Sequence, residues 1–169
     1  QTLFDDIENH GGHAIMWKAG HSIIKAKMKE TGAALAGEMS GHIFFEDRFY
    51  GFDDACYAGA RLLEILSNTD KLLSQLLTDL PKTFSTPEIR IECPDETKFS
   101  VAAKIAEHFR SLGHAVNPID GARITFPNGW GLVRPSNTQA LLVLRFEADT
   151  ALRLDQIIKT VESKVAEFA

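Results

Sequence analysis

The sequence predicts two successive domains: a partial α/β domain with a βαβ unit and a mixed sheet, then an α+β domain with a small, mostly antiparallel sheet and two helices. Two observations predict this architecture. In the first half, helical periodicity alternates with short continuous apolar runs, which is typical of strands buried beside helices. In the second half, several strand-like segments lie between two long amphipathic segments, which is typical of an antiparallel sheet with helices on one face.

The first predicted element is a short helix over residues 2–10, with Thr2 as its N-cap and glycines at positions 11 and 12 to end it. The apolar run at residues 14–17 predicts a strand, and residues 18–21 form the loop after it. A second helix is predicted to begin at Ser22, which would cap it, and to stop at Gly32.

A second apolar run, residues 33–36, follows this helix and predicts another buried strand. Strand, helix and strand in this order form a βαβ unit, so we expect parallel pairing and a right-handed crossover. Ligands usually bind in the loops at the carboxyl ends of such strands. In this sequence those loops begin at Lys18 and Gly37.

The rest of the first half predicts a strand at residues 43–45, a helix that starts at Asp53 and Asp54, and a shorter helix near residues 71–78. Two prolines in residues 81–87 interrupt both helical and strand periodicity.

We therefore expect a first domain over residues 1–80, a linker over 81–87 and a second domain over 88–169. The elements expected in the second domain are a strand at 88–93, a helix at 97–112, strands near 122–126, 131–134 and 141–147, and a helix at 152–168.

Composition excludes several classes of protein. With 44% hydrophobic and 24% charged residues, the 169-residue chain is not disordered. Eighteen Lys and Arg against 23 Asp and Glu give a net charge of -5, so no overall basic field exists to bind nucleic acid. The longest apolar run, residues 140–144, is far shorter than the roughly 18 residues of a membrane span, so we expect no membrane partner.

The cysteine and histidine patterns predict no metal site. Cys56 and Cys93 are the only cysteines, too few for a thiolate site or a secreted disulfide scaffold, which favours a reducing cytoplasm. His10 and His13 lack neighbouring residues at metal-ligand spacing. The chain opens on Gln1 in an acidic stretch without the pattern of a signal peptide, and we expect it to be a piece of a longer protein.

Residues 37–42 contain Glu38, Ser40 and His42 two positions apart, so an extended backbone would direct all three side chains to one side. A carboxylate, a hydroxyl and an imidazole suit a polyol, because the carboxylate accepts hydroxyl hydrogens and the imidazole moves protons. The alternative, which periodicity alone favours, is a solvated turn with glycine at both hinges. Lys18 and His21 would share the same sheet edge and could add charge or proton transfer.

Residues 134–138 read Arg-Pro-Ser-Asn-Thr and lie between two predicted strands. A guanidinium matches phosphate oxygens, and Ser and Thr hydroxyls with turn amides complete an anion site. An ordinary hairpin turn is an equal alternative, because Ser, Asn and Pro favour turns.

Together, Gly-Glu-Met-Ser-Gly-His at 37–42 and Arg-Pro-Ser-Asn-Thr at 134–138 resemble the α-D-phosphohexomutase superfamily, most closely its bacterial phosphomannomutase/phosphoglucomutase family. The resemblance runs from about Gly12 to the C-terminus. Its further matching segments are residues 17–21, 52–54, 129–133 and 144–149.

The resemblance implies four domains around a cleft, of which this chain would supply most of the third and all of the fourth. It implies that Glu38 and Ser40 bind sugar hydroxyls, that His42 and His21 line the site near the reacting hydroxyl, and that Lys18 helps to bind substrate. Met39 favours glucose and mannose as the sugars. The residues implied to hold the phosphate that is not transferred are Arg134, Ser136, Asn137 and Thr138.

The family chemistry implied by the resemblance is a transfer between a phosphoserine and the sugar through a bisphosphorylated intermediate, with Mg²⁺ and a bisphosphorylated hexose activator. This sequence has neither a Ser-His-Asn phosphoserine segment nor an Asp-Gly-Asp metal loop. We therefore expect a monomeric mutase whose N-terminal domains and Mg²⁺ ligands lie outside this chain, and we expect no activity from the chain alone.

Two other classes of function stay open at this point. A non-catalytic sugar-phosphate binding module would keep the chemistry of Glu38 and Arg134 without the missing domains. An RNA-binding platform would use the small sheet of the second half, although the acidic balance and the lack of clustered aromatic residues on one strand argue against it.

Overall fold

The computed structural model describes residues 1–169, which divide into two units, Gln1–Pro81 (unit 1) and Lys82–Ala169 (unit 2). Unit 1 contains the helices α1 (Thr2–Asn9), α2 (His21–Thr31) and α3 (Ala55–Ser67), a 3₁₀ helix (Leu73–Gln75), and the strands β1 (Leu35–Gly37) and β2 (Ile43–Phe45). Unit 2 contains the strands β3 (Phe84–Ser85), β4 (Ile89–Glu92), β5 (Val116–Asn117), β6 (Ala122–Phe126), β7 (Gly129–Pro135) and β8 (Leu141–Ala148), with the helices α4 (Lys98–Ser111) and α5 (Ala151–Phe168).

The core of unit 1 is small. Ile24 and Met28 lie one helical turn apart on α2, so they share a face, and they pack with Phe44 of β2. Two half-buried alanines, Ala33 and Ala36, complete this cluster. The other apolar residues at these positions, Ile23 of α2 and Ile43 of β2, are exposed.

The predicted strand at residues 14–17 is wrong, and so is the parallel βαβ pairing built on it. Residues 14–17 lie outside helix and strand, and β1 pairs only with β2, in antiparallel register with Leu35 opposite Phe45. A strand exists only where a neighbouring strand satisfies its amide and carbonyl groups, and apolar content alone does not provide one. The predicted Ser22 cap is also wrong, because α2 starts at His21 with Gly20 as its N-cap.

The connection between β2 and α3 is held by a bidentate ion pair. Arg48 has a left-handed backbone conformation with φ at 59°, and its Nη1 and Nη2 each donate to a Glu64 carboxylate oxygen at 2.9 Å. The hydrogen bond from Arg48 lowers the pKa of Glu64 below its ordinary value. Asp54 caps α3 by accepting a hydrogen bond from the Tyr57 amide at 2.8 Å, which confirms the predicted helix start.

The sheet of unit 2 is antiparallel throughout. Its strand order is β3-β8-β7-β6-β5, and β4 also pairs with β8. The predicted strand at 122–126 is confirmed, as are the positions of β7, β8 and both helices. Residues in the predicted linker form β3, and the two-residue β5 was not predicted because so short a segment shows no periodicity.

Helices α4 and α5 cover one face of this sheet. Alternate residues of β6 and β8 point into the same core as the apolar faces of the two helices, as the strand period of two requires. The fully buried members of this core include Ile105, Phe109, Ile124, Val133, Leu144, Phe146, Ile157 and Val161. The predicted fold class, two α/β-type domains of which the second is an α+β layer, is confirmed. None of the helices combines the length and the apolar character needed to span a membrane.

Candidate functional site

In unit 1, the polar segment at residues 37–42 is the turn of a β-hairpin. The Glu38 amide donates to the His42 carbonyl at 2.9 Å, and the Gly41 amide donates to the Glu38 carbonyl at 3.0 Å. Gly41 has a φ of 94°, a conformation that a residue with a side chain rarely adopts. The expected extended backbone is therefore wrong, because Met39 and Ser40 lie at the tip of a tight turn. Glu38 is half-buried and Ser40 is exposed.

A carboxylate holds the imidazole of His42. Nδ1 of His42 lies 2.5 Å from Oδ2 of Asp53, and Oδ1 of Asp53 accepts a hydrogen bond from the Ile43 amide at 3.3 Å. A carboxylate only accepts hydrogen bonds, so Nδ1 carries the proton and Nε2 of the neutral ring keeps its lone pair. His42 is thereby prepared to act as a base through Nε2, and its side chain remains 49% exposed to incoming groups.

The structure brings the two candidate histidines together. The ring centroids of His21 and His42 are 6.4 Å apart with the planes nearly perpendicular, and His21 also contacts Phe44 with centroids 5.4 Å apart. His21 is the first residue of α2, and the exposed Lys18 lies in the preceding loop. Two imidazoles beside a carboxylate form a site able to transfer protons.

In unit 2, Arg134 projects from β7 close to an acidic residue. Its Nη1 lies 3.8 Å from Oδ2 of Asp120, and both side chains are about one-third exposed or less, at 28% and 31%. Gly121, next to Asp120, has a φ of 99°, and a Cβ there would lie 2.4 Å from the Val133 carbonyl oxygen. The backbone that carries Asp120 is therefore packed directly against β7, which fixes the carboxylate beside the guanidinium.

The segment after Arg134 is an ordered loop, residues 136–140, which we call the anion loop. Oγ of Ser136, a buried residue, accepts hydrogen bonds from the amides of Thr138 and Gln139 at 3.3 and 3.2 Å. The Ser136 amide donates to the Leu141 carbonyl at 2.9 Å. Ser136 thus shapes the loop with its lone pairs and keeps its O–H hydrogen as a donor.

Asn137 and Thr138 are exposed on this loop, one and two residues after Ser136. The sequence predicted either a hairpin turn or an anion site here, and the segment does connect two antiparallel strands, β7 and β8. A hairpin turn that exposes an amide, a hydroxyl and a nearby guanidinium can serve both purposes, because its backbone hydrogen bonds are satisfied internally.

Two residues of these sites were not singled out from sequence. Asp53 was assigned with Asp54 to helix-start electrostatics, but only Asp54 caps α3, whereas Asp53 binds His42. Lys98, which contacts the anion loop, was not considered at all. The available signal was the pair of adjacent aspartates, since one helix start requires only one N-cap.

Comparison with known proteins identifies related families for both units. Residues 1–84 match the family model described as phosphoglucomutase/phosphomannomutase, alpha/beta/alpha domain III. Residues 88–164 match the model described as phosphoglucomutase/phosphomannomutase, C-terminal domain.

Individual relatives agree with these matches. A phosphomannomutase/phosphoglucomutase of Pseudomonas putida is 55% identical over 152 residues, which cover 89% of this chain and 33% of the relative. A phosphoglucomutase of Neisseria gonorrhoeae is 52% identical over 153 residues, with 89% and 33% covered. The crystal structure of a phosphoglucomutase/phosphomannomutase family protein from Burkholderia thailandensis has a TM-score of 0.83 and 44% identity, covering 99% of this chain and 35% of that chain. This chain therefore spans about a third of the length of these relatives.

Proposed function

This chain belongs to the phosphoglucomutase/phosphomannomutase family, and we propose that it supplies the sugar-binding and phosphate-binding portion of a hexose-phosphate mutase. The complete enzyme would interconvert the 1-phospho and 6-phospho forms of glucose and mannose. The observation that carries the proposal is that this family-matched chain combines a carboxylate-oriented imidazole, His42, with a guanidinium beside an internally bonded loop, Arg134.

Phosphate recognition is assigned to Arg134 and the anion loop. The guanidinium can bind two phosphate oxygens in parallel, as a planar fork does, and the hydroxyl of Ser136 can donate a third hydrogen bond. Asn137 and Thr138 are exposed and add further donors. The internal hydrogen bonds to Ser136 Oγ hold the loop backbone in one arrangement, which reduces the conformational entropy that phosphate binding has to overcome.

Sugar recognition is assigned to the hairpin turn in unit 1. The Glu38 carboxylate would accept hydrogen bonds from two adjacent sugar hydroxyls, and Ser40 at the tip would supply a hydroxyl of its own. Lys18 would add positive charge for a phosphorylated sugar. The turn places Glu38 and His42 at the two ends of one backbone hydrogen bond, so sugar contact and proton transfer are linked to the same hairpin.

In the proposed chemistry, a sugar hydroxyl gives its proton to Nε2 of His42 as its oxygen attacks the phosphorus of a phosphoserine. The new oxygen–phosphorus bond forms while the serine oxygen–phosphorus bond breaks, and this yields a bisphosphorylated sugar. The leaving serine oxygen takes up a proton from solvent, and the His42 imidazolium returns its proton to solvent. Asp53 would stabilise the imidazolium that forms, and His21 would support the same site. Return of the other phosphate to the serine would complete the isomerisation, and a bisphosphorylated hexose would act as activator.

Magnesium belongs to the proposed complete enzyme, and the residues of this chain do not fit it. No group of three His, Cys, Asp or Glu side chains in residues 1–169 is arranged to hold a metal ion. We therefore assign both the Mg²⁺ ligands and the phosphoserine to domains of the same enzyme outside this chain. We also propose that the complete enzyme is a monomer located in the cytoplasm.

The test uses the chain and the complete enzyme in parallel. Titration of the chain with glucose 1-phosphate and mannose 1-phosphate, followed by amide NMR shifts, should move the signals of Asn137 and Thr138. The complete enzyme should interconvert the same sugar phosphates in a coupled assay. Binding without turnover by the complete protein would instead favour a non-catalytic sugar-phosphate binding module, and loss of both would contradict the proposal.

A further inference from the structure

Unit 2 buries one ammonium group. Lys98 is the first residue of α4 and is 4% exposed. Its Nζ donates to the Gln139 carbonyl at 3.0 Å and to Oδ1 of Asp95 at 2.5 Å. The contact with Gln139 joins residues 41 positions apart in the chain, so Lys98 connects the start of α4 to the anion loop.

This position is costly for a positive charge in two respects. An ammonium removed from water loses solvation free energy that only good partners restore. The N-terminus of a helix also carries the positive end of the helix dipole, which repels a cation in the first turn. Asp95 offsets part of both costs, but the Asp95 side chain is 65% exposed, so water alone could solvate its charge. The Lys98 Nζ also lies 5.3 Å from the centroid of the Phe99 ring. Its contact with the Gln139 carbonyl is the one that reaches a distant segment of the chain.

Hydrogen bonds from other parts of unit 2 hold the second half of the anion loop, at Gln139 and Ala140. The Ala140 carbonyl accepts from the Cys93 amide at 3.0 Å, directly after the Gln139 carbonyl accepts from Lys98. The backbone amide of Gln139 itself donates to Oγ of Ser136. The Gln139 carbonyl also accepts from the Leu141 amide at 2.9 Å. Lys98 is therefore one of two donors that hold the residue whose amide binds Ser136 Oγ.

We propose that Lys98 is a positioning residue of the phosphate site, which acts on bound phosphate through Gln139 and Ser136 and not by contact. The proposal rests on the proposed function, since it takes the anion loop as the phosphate site. With Lys98 in place, the Ser136 hydroxyl and the side chains of Asn137 and Thr138 keep the geometry that receives phosphate oxygens. Without it, the loop loses one of its two attachments to the start of α4 and the end of β4.

The experiment measures binding of glucose 1-phosphate to the full 169-residue chain by amide NMR shifts at Asn137 and Thr138. Lys98→Met removes the ammonium while keeping a long apolar stem in the buried site. We expect its dissociation constant to rise about tenfold, as for loss of a hydrogen bond to a charged group. The matched control Lys104→Met removes the same charge from the exposed side of α4, and we expect it to bind as the unchanged chain does.

Two further readouts separate positioning from folding. Thermal unfolding of Lys98→Met should stay close to that of the unchanged chain, since an apolar side chain replaces a buried charge. Amide exchange at Thr138 and Gln139 should nevertheless become faster. Lys98→Arg, which retains a buried cationic donor, should recover part of the affinity lost in Lys98→Met.

The unchanged chain provides a test that does not depend on any variant folding. The Lys98 ammonium is buried and hydrogen-bonded, so its proton signals exchange slowly enough to be followed by NMR. They should shift during the titration with the same dissociation constant as Asn137. Equal binding by Lys98→Met, or a Lys98 signal that stays fixed while Asn137 moves, would overturn the proposal. Absence of any binding by the unchanged chain would instead contradict the proposed function.

Discussion

At the scale of single residues, the shape of a side chain matters as much as its charge at Arg134. We expect Arg134→Lys in the complete enzyme to weaken substrate binding by about 1–3 kcal/mol, because one ammonium cannot reproduce a planar bidentate fork. Steady-state kinetics with glucose 1-phosphate would show this as a raised KM. Arg110→Lys, the same change at an exposed position of α4, is the control. Unchanged KM and kcat in Arg134→Lys would contradict its assignment to phosphate.

Glu38 tests whether the hairpin turn of unit 1 binds sugar. Glu38→Gln keeps the shape of the side chain and removes the charged acceptor, so we expect turnover of both glucose and mannose phosphates to fall. The comparison is with Glu30→Gln, which removes an exposed carboxylate paired with Lys27 on α2. If Glu38→Gln matches the unchanged enzyme with both sugars, residues 37–42 are only a turn.

The adjacent aspartates of unit 1 offer a matched pair of substitutions. Asp53→Asn should reduce kcat by about 10²–10⁴-fold, because an amide that can donate no longer holds Nδ1 of His42 in the protonated form. Asp54→Asn should leave kcat and stability nearly unchanged, because Asn caps a helix as well as Asp does. Both variants change one carboxylate to an amide, so kcat separates their functions. Equal kcat for the two variants would show that Asp53 does not orient a catalytic imidazole.

These residues also show which part of the candidate site could not be predicted from the sequence. The structure places the rings of His21 and His42 6.4 Å apart, although the parallel sheet edge from which the position of His21 was predicted is absent. Asp53 was missed because its contact with His42 spans 11 positions and depends on the bridge between Phe44 and Asp53. Local sequence patterns predict which residues are neighbours along one helix or strand, and they do not predict a contact between residues on different segments.

At the scale of secondary structure elements, the long strands were predictable and the short ones were not. β7 alternates buried and half-buried residues over residues 131–135, and β8 does so over residues 144–148, which is enough periodicity to identify a strand. β5 has two residues, and residues 14–17 have an apolar pattern but no partner strand. Whether an apolar segment becomes a strand depends on pairing, which the sequence of the segment does not contain.

Close packing of a glycine against β7 links element geometry to the phosphate site. We expect Gly121→Ala to lower the free energy of unfolding by more than the about 1–2 kcal/mol that a left-handed conformation costs. The added Cβ would lie 2.4 Å from the Val133 carbonyl oxygen and 2.9 Å from the Arg134 Cα, so the strand must shift. Denaturant unfolding of the chain measures the change.

Gly113→Ala provides the matched control for this prediction. Gly113 also has a positive φ, 85°, but a Cβ there would meet no atom within 4 Å. The difference between the two variants therefore isolates the steric contact with β7. Equal destabilisation would show that the backbone near Arg134 relaxes freely, and then Asp120 would not be held in place by Gly121.

At the scale of the whole molecule, the two units bury very different amounts of apolar surface. The buried core of unit 1 consists of three residues, Ile24, Met28 and Phe44. That of unit 2 comprises sixteen residues, drawn from β6, β7, β8, α4 and α5, together with Cys93 directly after β4. Since burial of apolar surface is the main favourable contribution to folding, unit 2 has the larger share of the stability.

The two sheets also indicate that unit 2 is more stable than unit 1. β1 and β2 form a two-stranded sheet of three residues per strand, and an isolated pair of this size is marginal in water. β8 lies inside its sheet and pairs with β3, β4 and β7. Unit 1 therefore has few hydrogen bonds that require global unfolding to open, whereas the centre of unit 2 has many.

We accordingly expect local unfolding of the 169-residue chain to begin in unit 1, before Pro81. Amide hydrogen exchange should be faster for Phe44 and Phe45 in β2 than for Val143 and Leu144 in β8, because opening β2 exposes only a three-residue core. The comparison is internal, since all four amides are measured in one sample at one pH. Adding glucose 1-phosphate, which we expect to bind the anion loop in unit 2, should slow exchange in β8 more than in β2. Equal protection of β2 and β8 without ligand would contradict the expectation, and would show that unit 1 draws stability from interactions beyond its own core.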